Sequence, residues 1–491
     1  MRAISKALRP LTAEELADYH VNERINDRGI LLDFALAEGA VKYAADEVAD
    51  IQKIVQEVTK GAITSVRSRK MTEWVKDRVG PTALGFMRVT VDGEEKFSMD
   101  KNVRANILAL ADEDEYEVPH DVAEVVQCAD DLWSSSVAKF ARLASLAGDE
   151  DGAVRGAFVF NGGSATGRAS SYGAQVHNFP RKSHNDALSV RESIIRGEPI
   201  IPKFGKTVNA VLKQMLRPAL VARDGKKLVV ADWSSIEARV TPWMTDTPHG
   251  AGKLELFASG ADVYKHNAAA TFGVHPDEVN DHQRQVGKVQ ELACGFGGGV
   301  GAFANMARIY NLTLSETESQ RMVDAWRRAN FWGPIYWSLL EQAYHRAMRN
   351  KGREITAGRV TYLFDGQHLW YALPSGRVLC YPYARFDGDG SLSYDKAAWK
   401  PSQDAREWPR ARLWKGLACE NITQAVANDL LRHTLRQVDA VLHVHDEVVL
   451  EASDPDRAAD HLVKVMTTPP TWAVGLPLSA EVKIMERYGK P

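Results

Sequence analysis

The sequence predicts an α+β fold in which helical blocks flank and interrupt segments of short strands. In the first 150 residues, apolar positions recur at spacings of three and four, as in LLDFALAEGAVKYAADEVADIQKIVQEV. Residues 355–395 instead carry short alternating runs separated by turns such as FDG, LPSG and DGDG, which are typical of strands. The run VLHVHDEVVLEA predicts two strands joined by a tight turn at His445-Asp446.

The remaining elements follow the same signals along the chain. Residues 151–230 look irregular, with short strands, and an apolar strand is predicted at 227–232. Ser234 or Ser235 is a suitable N-cap for a helix through IEARVTPWM. Residues 250–350 are predicted to be helical, LWKGLACENITQAVANDLLRHTLRQV is predicted to be one long helix, and the tail PLSAEVKIMERYGK is predicted to end on a strand.

Composition places the chain among ordinary globular proteins of several domains. A length of 491 residues favours two to four domains, and the hydrophobic and charged fractions are 45% and 25%. No apolar run is long enough to cross a bilayer, and the basic start lacks the apolar core of a secretory signal. The four cysteines are dispersed without zinc spacing, so we expect a reduced, cytoplasmic setting. The net charge of −3 still allows a local basic cleft for phosphates.

Two aspartates stand at the ends of apolar strands, Asp232 after Leu228–Ala231 and Asp446 in the predicted turn. Two buried carboxylates close together would repel, and a divalent cation between them removes that cost. Magnesium takes oxygen ligands, and a pair of such ions suits in-line displacement at phosphorus. The alternative for each aspartate alone is a turn or cap residue, and both interpretations stay open at this point.

A second pattern lies in DHQRQVGKVQELACGFGGG, residues 281–299. Asp281 is predicted to cap a helix, and the glycine run 297–299 is predicted to end it. Arg284, Lys288, Leu292 and Phe296 recur every four residues along one slowly drifting face. Cations followed by apolar residues suit a nucleoside triphosphate lying along the helix, with the phosphates on Arg and Lys. An amphipathic surface helix with a glycine cap is the alternative.

Five segments together resemble the family A DNA polymerases, the DNA polymerase I type. DWSSIEAR resembles motif A, RQVGKVQELACGFG motif B and HVHDEVVLE motif C. TGRASSYGAQVHNFPR at 166–181 and ENITQAVANDLL are similar to the segments of that family that contact the primer–template minor groove and the template strand. The five occur in the order found in the family, and the motif B variant is most similar to polymerases of bacterial viruses and prophages.

The resemblance implies a right-hand fold of thumb, palm and fingers with an antiparallel palm sheet. Residues 1–150 would form a helical thumb-like domain and 246–354 the helical fingers. The palm would be assembled from 151–245 and 355–491. The implied activity is template-directed addition of dNTPs to a primer 3′ end, through two Mg²⁺ ions for which Mn²⁺ can substitute.

The same resemblance implies roles for individual residues. Asp232 and Asp446 would hold the metal ions with help from the Trp233 carbonyl. Lys288 would stabilise the departing pyrophosphate, and Glu237 would exclude a ribose 2′-hydroxyl. The other residues implied to bind the nucleotide are Arg284, Leu292, Phe296, Ser235, Ile236 and Tyr264. Those implied to bind DNA are Arg168, Gln175, Asn178, Gln424 and His445.

Three departures from the family pattern bear on sugar selection and phosphate binding. Leu292 stands where the family usually has an aromatic residue. Phe296 lacks the tyrosine hydroxyl that would hydrogen-bond Glu237. Tyr264 occupies the position of a triphosphate-binding histidine found in many relatives, with His266 two residues on.

The sequence also suggests which activities and partners to expect. No strand carries the Asp-x-Glu of a 3′–5′ exonuclease, and Asp112–Asp114 lie in an acidic, loop-like run. We expect proofreading to be absent or supplied by another chain, with a separate processivity factor as an open partner. Primer–template DNA and dNTPs are the expected partners of a monomer in a bacterial or phage-infected cell. The rival hypotheses are a single-subunit RNA polymerase and a catalytically inactive DNA-binding subunit.

Overall fold

The computed structural model describes residues 11–91, 94–132, 137–148, 151–397 and 408–489. The first ten residues, considered above for a targeting signal, and the last two residues of the predicted palm lie outside these ranges. Within them, no helix combines the length and the apolar character needed to span a membrane. The predicted α+β architecture is present, with helical blocks around antiparallel sheets.

The first block is helical, as its periodicity predicted. A hydrophobic core of its own runs from Ile51 to Leu132 and is separate from the main core of the molecule. A hairpin within the block pairs Arg88–Val91 with Glu94–Phe97. The helices are Ala13–Arg28, Phe34–Val58, Arg69–Lys76, Pro81–Met87, Lys101–Ala111, His120–Leu132 and Ala138–Leu146.

The helix Ala13–Arg28, which the sequence placed in the thumb-like block, lies against the central sheet instead. The carboxylate of Asp18 is buried and accepts hydrogen bonds from Arg432 and Arg436 of the long helix beside that sheet. Arg28 forms an ion pair with Asp439 at 2.5 Å. Because a buried charge is retained only where it is paired, these contacts attach the first helix firmly to the opposite end of the chain.

Short elements connect the first block to the central sheet. Ile30–Leu32 is the middle strand of a small antiparallel sheet, between Ala153–Val154 and Leu220–Val221. The other elements of this irregular region are strands Phe158–Val159 and Ser170–Ser171, the single turn Val176–Asn178, and helices Ala187–Arg196 and Val208–Gln214.

The central sheet has four antiparallel strands in the order Ala440–Val444, Glu447–Ala452, Lys227–Trp233 and Ala480–Met485. Val444 pairs with Glu447, so His445-Asp446 form the predicted tight turn. Residues Leu228 to Ala231 are fully buried, which agrees with their apolar run. Helices Lys415–Leu435 and Pro455–Thr467 lie beside the sheet, and the Trp233 indole donates to the Met466 carbonyl at 2.8 Å.

A second helical block follows the strand that carries Asp232. Its centre is a buried polar cluster in which the Lys253 ammonium donates to Glu291, Asn267 and Asn330. Because the lysine and the glutamate are both buried and paired, they tie three helices together. The helices are Ile236–Met244, Pro248–Ala258, Val263–Phe272, Asp281–Cys294, Val300–Ile309, Glu316–Ala329 and Trp332–Arg349.

The strands predicted in 355–395 are present, but they form sheets separate from the central one. One sheet has four strands, Ile355–Ala357, Val360–Phe364, Leu369–Ala372 and Val378–Tyr381. The other has three, Arg385–Phe386, Leu392–Asp395 and Arg410–Leu413. The sequence assigned this region to the palm, and local alternation could not distinguish one sheet from several.

Candidate active site

Asp232 and Asp446 lie side by side at one end of the central sheet. The Cα atom of Asp232 pairs with that of Glu447, the residue after Asp446, and the Trp233 amide donates to the Asp446 carbonyl at 3.2 Å. Both aspartates line the same cleft. The convergence that the sequence predicted for these two distant residues is therefore present in the structure.

A third carboxylate, which sequence reasoning missed, stands beside them. Glu481 is the Cα partner of Asp232 on the edge strand Ala480–Met485 and lines the cleft. Directly paired residues of an antiparallel sheet point to the same face, so Asp232 has a glutamate on either side. The sequence shows only that Glu481 is a polar residue near the start of the predicted C-terminal strand. The order of the strands in the sheet is what puts it beside Asp232.

The two flanking glutamates differ in their surroundings. Glu447 is 2% exposed, and Arg217 donates to it at 3.2 Å. The Tyr488 hydroxyl donates to the same carboxylate oxygen of Glu447. Glu481, in contrast, is exposed in the cleft. Glu447 therefore forms a buried ion pair with Arg217, behind the two aspartates.

The helix Asp281–Cys294, called the finger helix below, faces the two aspartates across the cleft. Lys288, Leu292 and Phe296 line the cleft, and Leu292 is 42% exposed. Arg284 lies at the edge, where its guanidinium donates to Asp262 at 2.6 Å. Burial opposes ionisation of Asp262, but the hydrogen bond and charge of Arg284, together with hydrogen bonds from the Lys265 and Tyr264 amides, outweigh it and lower the pKa of the Asp262 carboxyl.

Both predicted ends of the finger helix need correction. Asn280 rather than Asp281 is the N-cap, because its side chain exchanges hydrogen bonds with Gln283 in a capping box. The helix ends at Cys294, so Phe296 lies just beyond it rather than on its face. The chain reverses there: a Cβ on Gly298 would lie 2.0 Å from the Ala293 carbonyl oxygen, and Gly297 has φ +79°.

Two tyrosines lie under the two cations of the finger helix. The Lys288 ammonium is 4.9 Å from the ring centre of Tyr310, and the Arg284 guanidinium is 5.4 Å from that of Tyr264. The Tyr264 hydroxyl is 3.0 Å from Ser235 Oγ, which joins the finger block to the central sheet. Burial raises the pKa of Tyr264, so the hydroxyl keeps its proton. No pattern in the sequence had pointed to Tyr310.

Ser235 and Ile236, two further residues predicted to bind the nucleotide, lie where the central strand leads into the next helix. Ser235 is in the N-cap position and has φ +55° in the left-handed region, without a side-chain cap hydrogen bond. Ile236 is 3% exposed and lines the cleft together with Ser235.

Glu237, the predicted sugar gate, is paired with Arg168. The guanidinium of Arg168 donates to the Glu237 carboxylate at 2.8 Å. Glu420 lies close by on the long helix and accepts a hydrogen bond from Gln424 at 3.2 Å. Burial first, and the charge of Glu237 second, raise the pKa of Glu420.

The predicted DNA-contact residues divide into two groups. Arg168 and His445 line the cleft, together with Arg181, which the sequence had not singled out. Gln175 and Asn178 are exposed but are not among the residues that line the cleft, and Gln424 is half-buried against Glu420. Two further imidazoles lie near His445, since His177 is 5.4 Å from His445 and 5.5 Å from His443 between ring centres.

The donor set of the cleft suits a hard divalent cation. Asp232 and Asp446 would offer carboxylate oxygens to such an ion, and Glu481 lines the same cleft, although no group of three metal-ligating side chains occurs among the described residues. Oxygen ligands of this kind are those that magnesium prefers. Lys288 lines the opposite wall and Arg284 lies at its edge, so both cations are placed near phosphates that such a metal would hold.

The chain is similar to known DNA polymerases. The family model described as DNA polymerase family A matches residues 44–367. A DNA polymerase of Bacillus phage SP02 is 30% identical over 98% of this chain and 71% of its own length. DNA polymerase I of Chloroflexus aurantiacus is 24% identical over 57% of this chain and 25% of its own length.

The fold also matches a solved structure. The polymerase domain of Pol1 from M. smegmatis, in complex with DNA primer-template and dNTP, superposes with a TM-score of 0.66. That match covers 97% of this chain and 70% of the other at 17% identity, and it supports the right-hand fold. With the family model covering most of the chain and a phage polymerase aligned along nearly all of it, the protein belongs to the family A DNA polymerases.

Proposed function

We propose that this DNA polymerase extends a primer 3′ end on a DNA template with dNTPs, using Asp232 and Asp446 as ligands for two Mg²⁺ ions. The observation that carries the proposal is the position of the two aspartates at one sheet end, facing Lys288 across the cleft. When bound, the ions supply activation of the primer hydroxyl and charge stabilisation at the transferring phosphorus. Mn²⁺ has the same preference for oxygen ligands and would bind to the same residues.

The residues of the chain would then act on the triphosphate directly. Lys288 binds the phosphates as a point charge and offsets the charge that develops on the departing pyrophosphate. Arg284 exchanges Asp262 for the outer phosphates, which its planar fork can bind in a bidentate manner. The M. smegmatis polymerase domain, whose fold this chain shares, was solved with a dNTP, which supports a dNTP as the substrate.

Sugar selection would depend on Glu237. Its carboxylate lies in the cleft beside Ile236 and would occupy the space that a ribose 2′-hydroxyl needs. Phe296 has no hydroxyl with which to orient that carboxylate, and Arg168 holds it instead. Arg168 and His445 would contact the primer terminus, where minor-groove acceptors are nearly the same for every correct pair.

We further propose that these 491 residues extend primers without a proofreading nuclease of their own. The acidic run Asp112–Asp114 directly follows the helix Lys101–Ala111, and Asp112 is the C-cap of that helix. The Asp114 carboxylate accepts from the amides of Tyr116 and Glu117, as in a turn. Such a carboxylate serves local backbone structure rather than a strand-borne metal site.

Primer extension with dNTPs and, separately, rNTPs tests the proposal against its rivals. We expect extension with dNTPs and Mg²⁺, and at least about a thousandfold loss in Asp446→Asn with DNA affinity nearly unchanged. Asp439→Asn, on the surface at the start of the same hairpin, is the matched control. Preferential use of rNTPs would favour an RNA polymerase, and DNA binding without extension would favour an inactive subunit.

A further inference from the structure

An exposed tryptophan lies directly beside the turn that carries Phe296. Trp414 precedes the long helix Lys415–Leu435, and its six-membered ring folds back over Gly416, where a Cβ would lie 2.0 Å from the ring. A Cβ on Gly297 would lie 3.4 Å from the same ring, and one on Gly416 would lie 2.2 Å from the Phe296 carbonyl oxygen. One side of the indole therefore rests on glycine backbone next to Phe296.

The other side of this indole is open to solvent. Trp414 is 41% exposed, which is unusual for a residue whose apolar surface is normally buried. Two cations are its close neighbours in the chain, since Arg412 is exposed at the end of strand Arg410–Leu413 and Lys415 is partly exposed. Arg412 is also within electrostatic range of Asp389. The six-membered ring of Trp414 is thus supported by glycine backbone, the rest of the side chain is partly open to solvent, and two cations are close to it in sequence.

We propose that Trp414 is a stacking site for the first unpaired template base beyond the templating position, with Arg412 and Lys415 neutralising the adjoining phosphates. This proposal rests on the proposed function, and on the resemblance to known polymerases, which implies that Phe296 packs at the templating base. A single strand that leaves the cleft past Phe296 meets the free face of the indole next. Aromatic platforms flanked by cations bind single-stranded nucleic acid without sequence preference, because every base has a π-face.

Gly416 and Gly297 leave the space that the Trp414 ring occupies. Any side chain at 416 would displace the ring, and one at 297 would both contact the ring and occupy a left-handed backbone conformation. The absence of side chains at these two positions lets the six-membered ring approach the turn closely. The unpaired base can then approach within stacking distance of the cleft.

Fluorescence of 2-aminopurine at the first overhang position of the template tests the contact directly. In the complex with a dideoxy-terminated primer, we expect stacking to quench the probe in the unaltered enzyme and in Trp414→Phe. Emission should rise in Trp414→Leu. Trp408→Leu is the matched control, because Trp408 is 42% exposed and precedes the strand Arg410–Leu413, whereas Trp414 follows it. Equal emission from all four proteins would overturn the proposal.

A pair of templates separates this inference from the proposed function. One template ends at the templating base, and the other continues for five unpaired nucleotides. We expect Trp414→Leu to weaken DNA binding roughly tenfold on the longer template and to leave the shorter one unaffected. Equal weakening on both templates would place Trp414 in the nucleotide site and overturn the inference. Failure of the unaltered enzyme to extend either template would contradict the proposed function instead.

The double variant Arg412→Gln, Lys415→Gln provides a second measurement that leaves the tryptophan in place. Each phosphate contact to single-stranded DNA contributes about 0.7 to the slope of log affinity against log salt concentration. We therefore expect the slope to fall by about 1.4 on the longer template and not on the shorter one. An unchanged slope on the longer template would show that these cations do not meet the overhang.

Discussion

The guanidinium of Arg168 donates a hydrogen bond to the carboxylate of Glu237 over 2.8 Å, across 69 positions of sequence. The resemblance to known polymerases implies separate roles for these two residues, one at the primer minor groove and the other at the sugar of the incoming nucleotide. In the structure the two form one ion pair. Because this pair uses one nitrogen of the Arg168 guanidinium, we predict that Arg168 can hold Glu237 while its other donors contact the primer terminus.

Glu237→Ala is expected to lower the preference for dNTPs over rNTPs by roughly 10- to 100-fold, because the carboxylate that excludes the 2′-hydroxyl is removed. The measurement is kcat/KM for a matched dATP and ATP on the same primer–template. Glu255→Ala, on the exposed side of the finger block, serves as the control. An unchanged ratio in Glu237→Ala would remove the sugar-gate role from this residue.

Tyr310→Leu is expected to raise KM for dNTPs about threefold to tenfold, because the ring under Lys288 contributes a cation–π contact of about 0.5 to 1.4 kcal/mol. Tyr310→Phe keeps the ring and should behave like the unaltered enzyme. Steady-state kinetics with saturating DNA makes the comparison. If the phenylalanine variant fails as badly as the leucine variant, the hydroxyl rather than the ring is the functional group.

Glu447→Gln is expected to destabilise the protein by about 3 kcal/mol, because it leaves Arg217 buried without its counter-charge. Tyr488→Phe removes a neutral hydroxyl that donates to the same carboxylate and accepts from Arg217, and it should cost about 2 kcal/mol. Urea unfolding of the three proteins gives both differences. A large loss of primer extension in Glu447→Gln with an unchanged unfolding midpoint would instead show that the glutamate acts in catalysis.

Stability is expected to fall as the pH drops from 6.5 towards 4. Burial, and secondly the charge of His445, lower the pKa of His443 from 6.5 to about 4. His177 and His445 are also lowered, in each case mainly by burial. The unfolded chain binds protons near pH 6.5 and the folded chain does not, so the stabilisation is complete above pH 6.5. As the pH falls, the free energy of unfolding decreases by up to about 1.4 kcal/mol per pH unit for each histidine.

His443→Phe tests this pH dependence. Within the described residues, Nδ1 of His443 has no hydrogen-bond partner, and its ring stacks on Phe158 at 4.7 Å between centres. A phenylalanine keeps the stacking and cannot titrate. We expect a shallower decline of the unfolding midpoint between pH 7.5 and 5, and an identical decline would remove His443 as a cause.

Local pattern in the sequence was enough to predict the elements that carry the site. The apolar run Leu228–Ala231 had to be a buried strand, and the tight turn at His445-Asp446 followed from the two alternating segments around it. The spacing of Lys288 and Leu292 placed them on one helix face, and both reach the cleft. These features depend on periodicity over a few residues, and periodicity is a property of the chain itself.

Tertiary structure alone decided which side chains meet. Glu481 stands beside Asp232 because of strand order, Tyr310 lies under Lys288 because of helix packing, and Phe296 lies beyond the finger helix because the chain reverses at Gly298. Tertiary structure also decided that the strands in 355–413 form sheets separate from the central one. Partners of this kind are selected by close packing between segments far apart in sequence, where a local pattern carries no information about which surfaces touch.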